Sequence, residues 1–325
     1  MKNLIALCSF FLCLSAQTYI VNGLELIPGG ENIAFTIYPD GIIVTGSYLV
    51  GNYNPSRDSD IIKGDRIIKI GDNKVTDLHS FLKELPSYYE ELNCPIKIIR
   101  NNVEYNRNLE LVYKEDTYKT GLYVKERIIG LGTVSYYDPV SKSYGALGHE
   151  VYDEDSSTIL QIRKGEIYLE DVESINKSKN GDVGSKNSDI TFEEKIGEVK
   201  KNTRFGLYGI IDEIPSNYTP IKVAEIDEIK LGKAKVLTCI KEDKVEEFDI
   251  EITNINKQNL NDIKSMQIKI VDEKLITYAG GIYKGMSGSP IVQNNMLIGC
   301  VTHVSSDNVR QGYALFMKTM YEMSF

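Results

Sequence analysis

Apolar and polar positions divide this chain into three stretches. The first runs from Leu4 to Leu14, fades toward Val21, and has no charge between Asn3 and Glu25. With Lys2 in front of it, the run has the n-region and h-region of an export signal. Its length lies near the lower limit of about 17 residues for a spanning helix. Residues 1–23 are expected to form a signal peptide or an uncleaved membrane anchor, and either exports the rest of the chain.

The second stretch covers 24–113. Asn32 to Tyr38 alternates like a strand, Pro39-Asp40-Gly41 reads as a turn, and Ile42 to Thr45 reads as a second strand. Thr76 or Asp77 caps a short helix with Leu78, Phe81, Leu82 and Leu85 at helical spacing, stopped by Pro86. Strands at Ile96–Arg100 and Leu109–Tyr113 flank an Asn101-Asn102 turn. These elements predict a small α+β domain. Polar residues between Tyr113 and Thr120 mark its expected boundary.

The third stretch, 118–325, is a succession of short β-like segments. They are Arg127–Val134, Tyr144–Leu147, Thr158–Arg163, Ile196–Val199, Lys222–Ala224, Ala234–Cys239, Glu246–Ile252, Met266–Ile270 and Ile291–Val301. Repeated short strands separated by turn residues predict a closed barrel or a sandwich. Ser174–Ser188, dominated by Gly, Ser, Asn and Lys, reads as a solvated loop.

Composition narrows the function. The chain has 325 residues, enough for two cores. A net charge of −9 without a Lys/Arg cluster argues against a nucleic-acid partner. Cys94, Cys239 and Cys300 are far apart and lack metal-ligand spacing, so they are expected to be buried free thiols. Neither a metal site nor a cofactor site is expected.

The chemistry concentrates in Gly280-Gly281-Ile282-Tyr283-Lys284-Gly285-Met286-Ser287-Gly288-Ser289-Pro290, followed by a hairpin. A serine that attacks a carbonyl needs backbone N–H groups aimed at the developing oxyanion, and glycines allow the required backbone turn. Ser287 is the candidate nucleophile, with Ser289 as the rival. The N–H groups of Gly285 and Ser287 are the candidate oxyanion hole. A serine also needs a positioned base. His149, in Gly145-Ala146-Leu147-Gly148-His149, lies among small residues and precedes the serine. His303 is the alternative, and His79 belongs to the other domain. Many aspartates lie between His149 and Ser287, and residue reasoning does not choose among them.

Two resemblances extend this reading. Gly64-Asp65-Arg66-Ile67-Ile68-Lys69-Ile70-Gly71-Asp72-Asn73-Lys74-Val75 and the helix after it resemble a PDZ domain. That resemblance implies a peptide-binding groove at Gly29, Gly30, Asn32, Ile33, Ala34 and Phe35, where a peptide adds as a strand. The Leu131-Gly132-Thr133-Val134, Gly145–His149, Gly285–Pro290 and Val301-Thr302-His303-Val304 segments, in this order, look like the SpoIVB peptidase family of endospore-forming bacteria. The implied fold is mainly β: an N-terminal membrane segment, a PDZ-like domain over 24–113, and a chymotrypsin-like double β-barrel over 118–325. Asp272, fifteen residues before Ser287, matches the family's catalytic aspartate, and Asp138 sits in a turn-like Asp-Pro. The implied activity is a Ser-His-Asp endopeptidase acting between mother cell and forespore. It would cleave a membrane-bound regulator, and its own N-terminal region, to release sigma-factor processing. The alternative is an inactive PDZ adaptor that tethers membrane partners.

Overall fold

In the computed structural model, residues 23–325 are described, apart from 154, 156–158, 160, 191, 193 and 216–218. The expected export segment, 1–23, lies outside the described residues except for Gly23. Among the described residues no helix is long and apolar enough to cross a membrane.

Six antiparallel strands close the first barrel. In ring order they are Ser143–Ala146, Gly206–Ile211, Lys195–Thr203, Ile162–Leu169, Asn32–Pro39 and Ile128–Tyr137, which pairs back onto Ser143–Ala146. Ile33, Phe35, Ile37, Val134, Tyr137 and Ile167 fill it. A second ring of six follows: Gly232–Cys239, Val245–Ile255, Met266–Ile270, Gln311–Phe316, Met296–Val304 and Pro290–Gln293. Its patterning is direct. Along Val245–Ile255, Phe248, Ile250 and Ile252 point inward while Glu247, Asp249 and Glu251 face out. On the outer face Lys235 and Asp249, opposite each other in register, pair at 2.7 Å. Two six-stranded closed barrels are the expected chymotrypsin-like architecture.

A further apolar cluster, not an alternating face, joins the barrels. Leu26, Tyr136 and Tyr208 come from the first barrel and its appended strand Glu25–Pro28. Leu297, Cys300 and Leu315 come from the second, and the C-terminal helix Met317–Glu322 adds Met317 and Met320.

The expected domain border at 24–113 is corrected. Asn32–Pro39 is a first-barrel strand, with Ile128–Tyr137 on one edge and Ile162–Leu169 on the other. Glu25–Pro28 pairs with the same barrel. The small domain begins only after Pro39. Its sheet runs Leu122–Lys125, Ile42–Ser47, Arg66–Ile70, Asn93–Arg100, Val103–Glu110, with helix Leu78–Glu84 against it. Ile42, Val44, Ile67, Ile70, Phe81 and Ile98 form its core. It is thus inserted between two adjacent barrel strands, whose register places Ile37 opposite Ile128. The Tyr113–Thr120 stretch is not a border. It forms the hairpin Val112–Lys114 with Thr117–Lys119, and Tyr118 stacks on Tyr89.

The segment read as a solvated loop is also corrected. Asp171–Ile175 and Lys186–Asp189 form a two-stranded ribbon. The turn between them straps the second barrel: the Ser178 amide donates to the Ala279 carbonyl and its hydroxyl to the Ile282 carbonyl, both at 2.8 Å. Cys94, Cys239 and Cys300 are free and buried, and burial pushes each thiol up to about 12.

Candidate active site

Ser287 lies in the turn that leads into strand Pro290–Gln293 of the second barrel. Its carbonyl accepts from the Thr133 amide of the first barrel at 3.0 Å, and the Thr133 hydroxyl donates to the Gly285 carbonyl at 2.9 Å. The Gly288 amide donates to the Val301 carbonyl. The turn is therefore held from both barrels. Ser287 is half-buried and its hydroxyl donates to the Thr302 carbonyl at 3.2 Å. Ser289, the rival nucleophile, is fully buried, does not line the cleft, and its hydroxyl has no hydrogen-bond partner among the described residues.

His149 follows first-barrel strand Ser143–Ala146. The glycine before it serves barrel contact. Gly148 has φ 69°, and a Cβ there would come within 2.9 Å of Cys300 Sγ and 3.0 Å of Thr302 Cγ2 of the second barrel. The small residues beside His149 thus let the first barrel touch the strand behind the serine turn. His149 Nδ1 lies 2.8 Å from the Glu150 carbonyl oxygen. A carbonyl only accepts, so in the neutral ring Nδ1 carries the hydrogen and Nε2 is the basic nitrogen.

His149, Glu150, Tyr152, Ser287, Thr302 and His303 line one cleft of about 530 Å³ between the barrels. The two histidine rings are 5.5 Å apart, tilted by 49°. His303 Nδ1 is buried without a hydrogen-bond partner among the described residues. Burial, followed by the neighbouring His149 and Lys264, pulls the His303 ring down to about 4, so it is neutral at pH 7.

The third expected triad member is not in this cleft. Asp272 is the N-cap of helix Glu273–Ala279. One carboxylate oxygen accepts from the Leu275 amide at 3.0 Å and the other from the Asp249 amide at 3.1 Å. Among the described residues no hydrogen bond joins it to His149. A carboxylate followed by an apolar helix start is a capping signal, and here that local role prevails. Asp138 holds a turn, accepting from the Val140 amide, the Ser141 hydroxyl and Tyr321.

The expected peptide groove is overturned too. Asn32, Ile33, Ala34 and Phe35 are buried and hydrogen-bonded on both strand edges, so no further strand can add there. Gly29 and Gly30 donate to the Ser135 and Val134 carbonyls. In the inserted domain, Leu122–Lys125 is an edge strand, and helix Leu78–Glu84 starts beside it, the Leu78 amide donating to Glu126 at 2.8 Å. His79 is exposed on that helix.

Sequence pattern assigns no role to Thr133, Thr302 or Lys186, although Thr133 stands in Leu131-Gly132-Thr133-Val134 and Thr302 in Val301-Thr302-His303-Val304. Lys186 lies in a segment whose polar composition concealed a buried position. No group of three or more His, Cys, Asp or Glu residues that could hold a metal occurs among the described residues.

The family model described as SpoIVB peptidase S55 matches residues 116–321. No curated protein matches. Among solved structures, the inactive form of the Rv3671c protease is similar at 13% identity and a TM-score of 0.34, over 59% of this chain and 81% of that one. The active form of the M. tuberculosis Rv3671c protease gives 13% and 0.33, over 60% and 72%. The HtrA-type protease AlgW with a decapeptide gives 13% and 0.33, over 66% and 60%. With a family match that spans more than half of its length, the chain belongs to the SpoIVB peptidase family of serine peptidases.

Proposed function

We propose that this chain is a serine endopeptidase of endospore formation, with Ser287 as nucleophile and His149 as general base. The observation that carries the reading is that His149 and Ser287, supplied by different barrels, line the same cleft. In the resting geometry the serine proton points to the Thr302 carbonyl, so a rotation of χ1 precedes its transfer to His149 Nε2. Ser287 Oγ then bonds to the scissile carbonyl carbon. The C–N bond breaks as the imidazolium returns the proton to the leaving amine, and water hydrolyses the acyl-enzyme by the same route.

The oxyanion hole is assigned to the amides of Gly285 and Ser287. Neither donates to an acceptor among the described residues, which leaves both available to a substrate oxygen. The Glu150 carbonyl takes the orienting role that Asp272 was expected to play, since it fixes the Nδ1–H tautomer.

The resemblance supplies the biological setting: an exported enzyme that clips a membrane-bound regulator, and its own N-terminal region, between mother cell and forespore. The inserted domain is assigned as the PDZ-like unit, with Leu122–Lys125 as its peptide-accepting edge. The test is labelling with a fluorophosphonate. Labelling of the intact chain that disappears in Ser287→Ala supports the peptidase. A folded wild-type chain that neither labels nor trims its N-terminus supports the inactive adaptor instead.

A further inference from the structure

A buried lysine that does not line the cleft packs against the serine turn. The Lys186 side chain is 0% exposed. Its ammonium donates to Asn32 Oδ1 at 2.7 Å and to the Gly132 carbonyl at 3.3 Å, and it faces Glu170 Oε2 at 3.7 Å. Asn32 and Gly132 stand in first-barrel strands, and Glu170 directly follows another, Ile162–Leu169. Asn32 in turn donates to the Cys239 carbonyl of the second barrel at 3.3 Å.

The stem of Lys186 packs on the serine turn itself. Gly285 has φ 105°, and a Cβ built on it would lie 2.2 Å from Lys186 Cε and 3.2 Å from Nζ. The Lys186 amide donates to the Lys284 carbonyl at 3.3 Å, and the Lys284 amide to the Gly184 carbonyl at 2.8 Å. Gly132, whose carbonyl holds the ammonium, precedes Thr133, which grips the carbonyls of Gly285 and Ser287. Strap, first barrel and serine turn therefore meet at one side chain.

We propose that Lys186 is a positioning residue for the oxyanion turn, anchored by Glu170, Asn32 and Gly132 so that the Gly285 peptide is held with its N–H free for substrate. This rests on the serine-peptidase reading above. A buried ion pair is weak evidence for net stability, and in some proteins it serves instead to fix one arrangement. Here it would fix the seat of a glycine whose backbone has no side chain of its own to hold it. Lys186 makes no hydrogen bond to Ser287 among the described residues, so it is not assigned as the base. Burial pulls its ammonium down to about 8 and pushes the Glu170 carboxyl up, which agrees with a pair sealed from water.

The test compares wild type, Lys186→Met and the charge-balanced Lys186→Met/Glu170→Gln. Two quantities are measured: hydrolysis of a peptide ester, and hydrogen exchange of the peptide spanning Ile282–Gly288. The double variant is expected to fold and to lose kcat by about 100-fold with KM nearly unchanged, the scale of a lost oxyanion donor. Exchange in Ile282–Gly288 should rise while Val245–Ile255 stays protected. A folded double variant with wild-type kcat and wild-type exchange overturns the proposal. If both variants unfold, Lys186 is a folding residue and the proposal also falls. A wild type that hydrolyses nothing sinks the peptidase reading alone, because the exchange comparison still judges Lys186.

Discussion

The Thr133 amide reaches across the barrel interface to the Ser287 carbonyl at 3.0 Å. The same residue sends its hydroxyl to the Gly285 carbonyl at 2.9 Å. One fully buried threonine of the first barrel thus holds both peptides proposed to flank the oxyanion site. Thr133→Val keeps the shape and the amide bond but leaves the Gly285 carbonyl without the hydroxyl. Stability should fall by about 1 kcal/mol in urea titration. kcat should fall by about tenfold with little change in KM, as for an interaction felt mainly in the transition state. An unchanged kcat would show that the amide bond alone seats the turn.

Asp272 is committed to the amides of Leu275 and Asp249. Asparagine is also an effective N-cap, so Asp272→Asn should retain turnover within about threefold of wild type, whereas Asp272→Ala should lose about 1 kcal/mol of stability. Steady-state kinetics beside thermal melts separates the two effects. A fall of several orders of magnitude in Asp272→Asn, with the fold intact, would return the carboxylate to the imidazole.

The buried ring of His303 links folding to pH. Its folded-state value, about 4, lies below the ordinary 6.5, chiefly through burial. Between these values the unfolded chain binds a proton that the folded chain does not. The stability contribution is therefore present above pH 6.5 and is lost as pH falls toward 4. Urea midpoints measured from pH 7 to pH 4.5 should decline, and His303→Phe should flatten that decline. An identical slope in the variant would show that His303 is not its source.

The inserted domain joins the barrel at Pro39 and Arg127, where the flanking strands already pair. Replacing residues 40–126 by a two-residue turn should leave the barrel folded and Ser287 reactive toward a fluorophosphonate. The insert also pairs Lys63 with Asp155, and Lys125 with Asp153 and Asp155, in the segment after His149. Labelling should therefore slow, by up to about tenfold, because a buried carboxylate that loses its cation disturbs its surroundings. Trimming of the natural target should be lost. A folded, unlabelled variant would make the insert part of the catalytic scaffold, and normal trimming would reduce it to a spacer.

Local pattern was enough to reveal the β class, the helix capped by Asp77, the buried free cysteines, and the glycine-rich turn that carries Ser287. Each depends on neighbours in the chain: alternation, capping, or backbone freedom. Gly206–Ile211 and Gln311–Phe316 escaped, because strands buried on most positions lose the alternation that makes them visible. The ownership of Asn32–Pro39 was also hidden. Its partners lie some 90 to 136 residues further on, and an alternating strand carries no record of which sheet it will join. The same holds at the site. That Thr133 holds the serine turn, and that Lys186 is sealed behind Gly285 with its ammonium on Asn32, are consequences of two barrels meeting. Only the tertiary structure decides them, since hydrogen bonds and burial between residues more than a hundred positions apart follow from packing, not from sequence spacing.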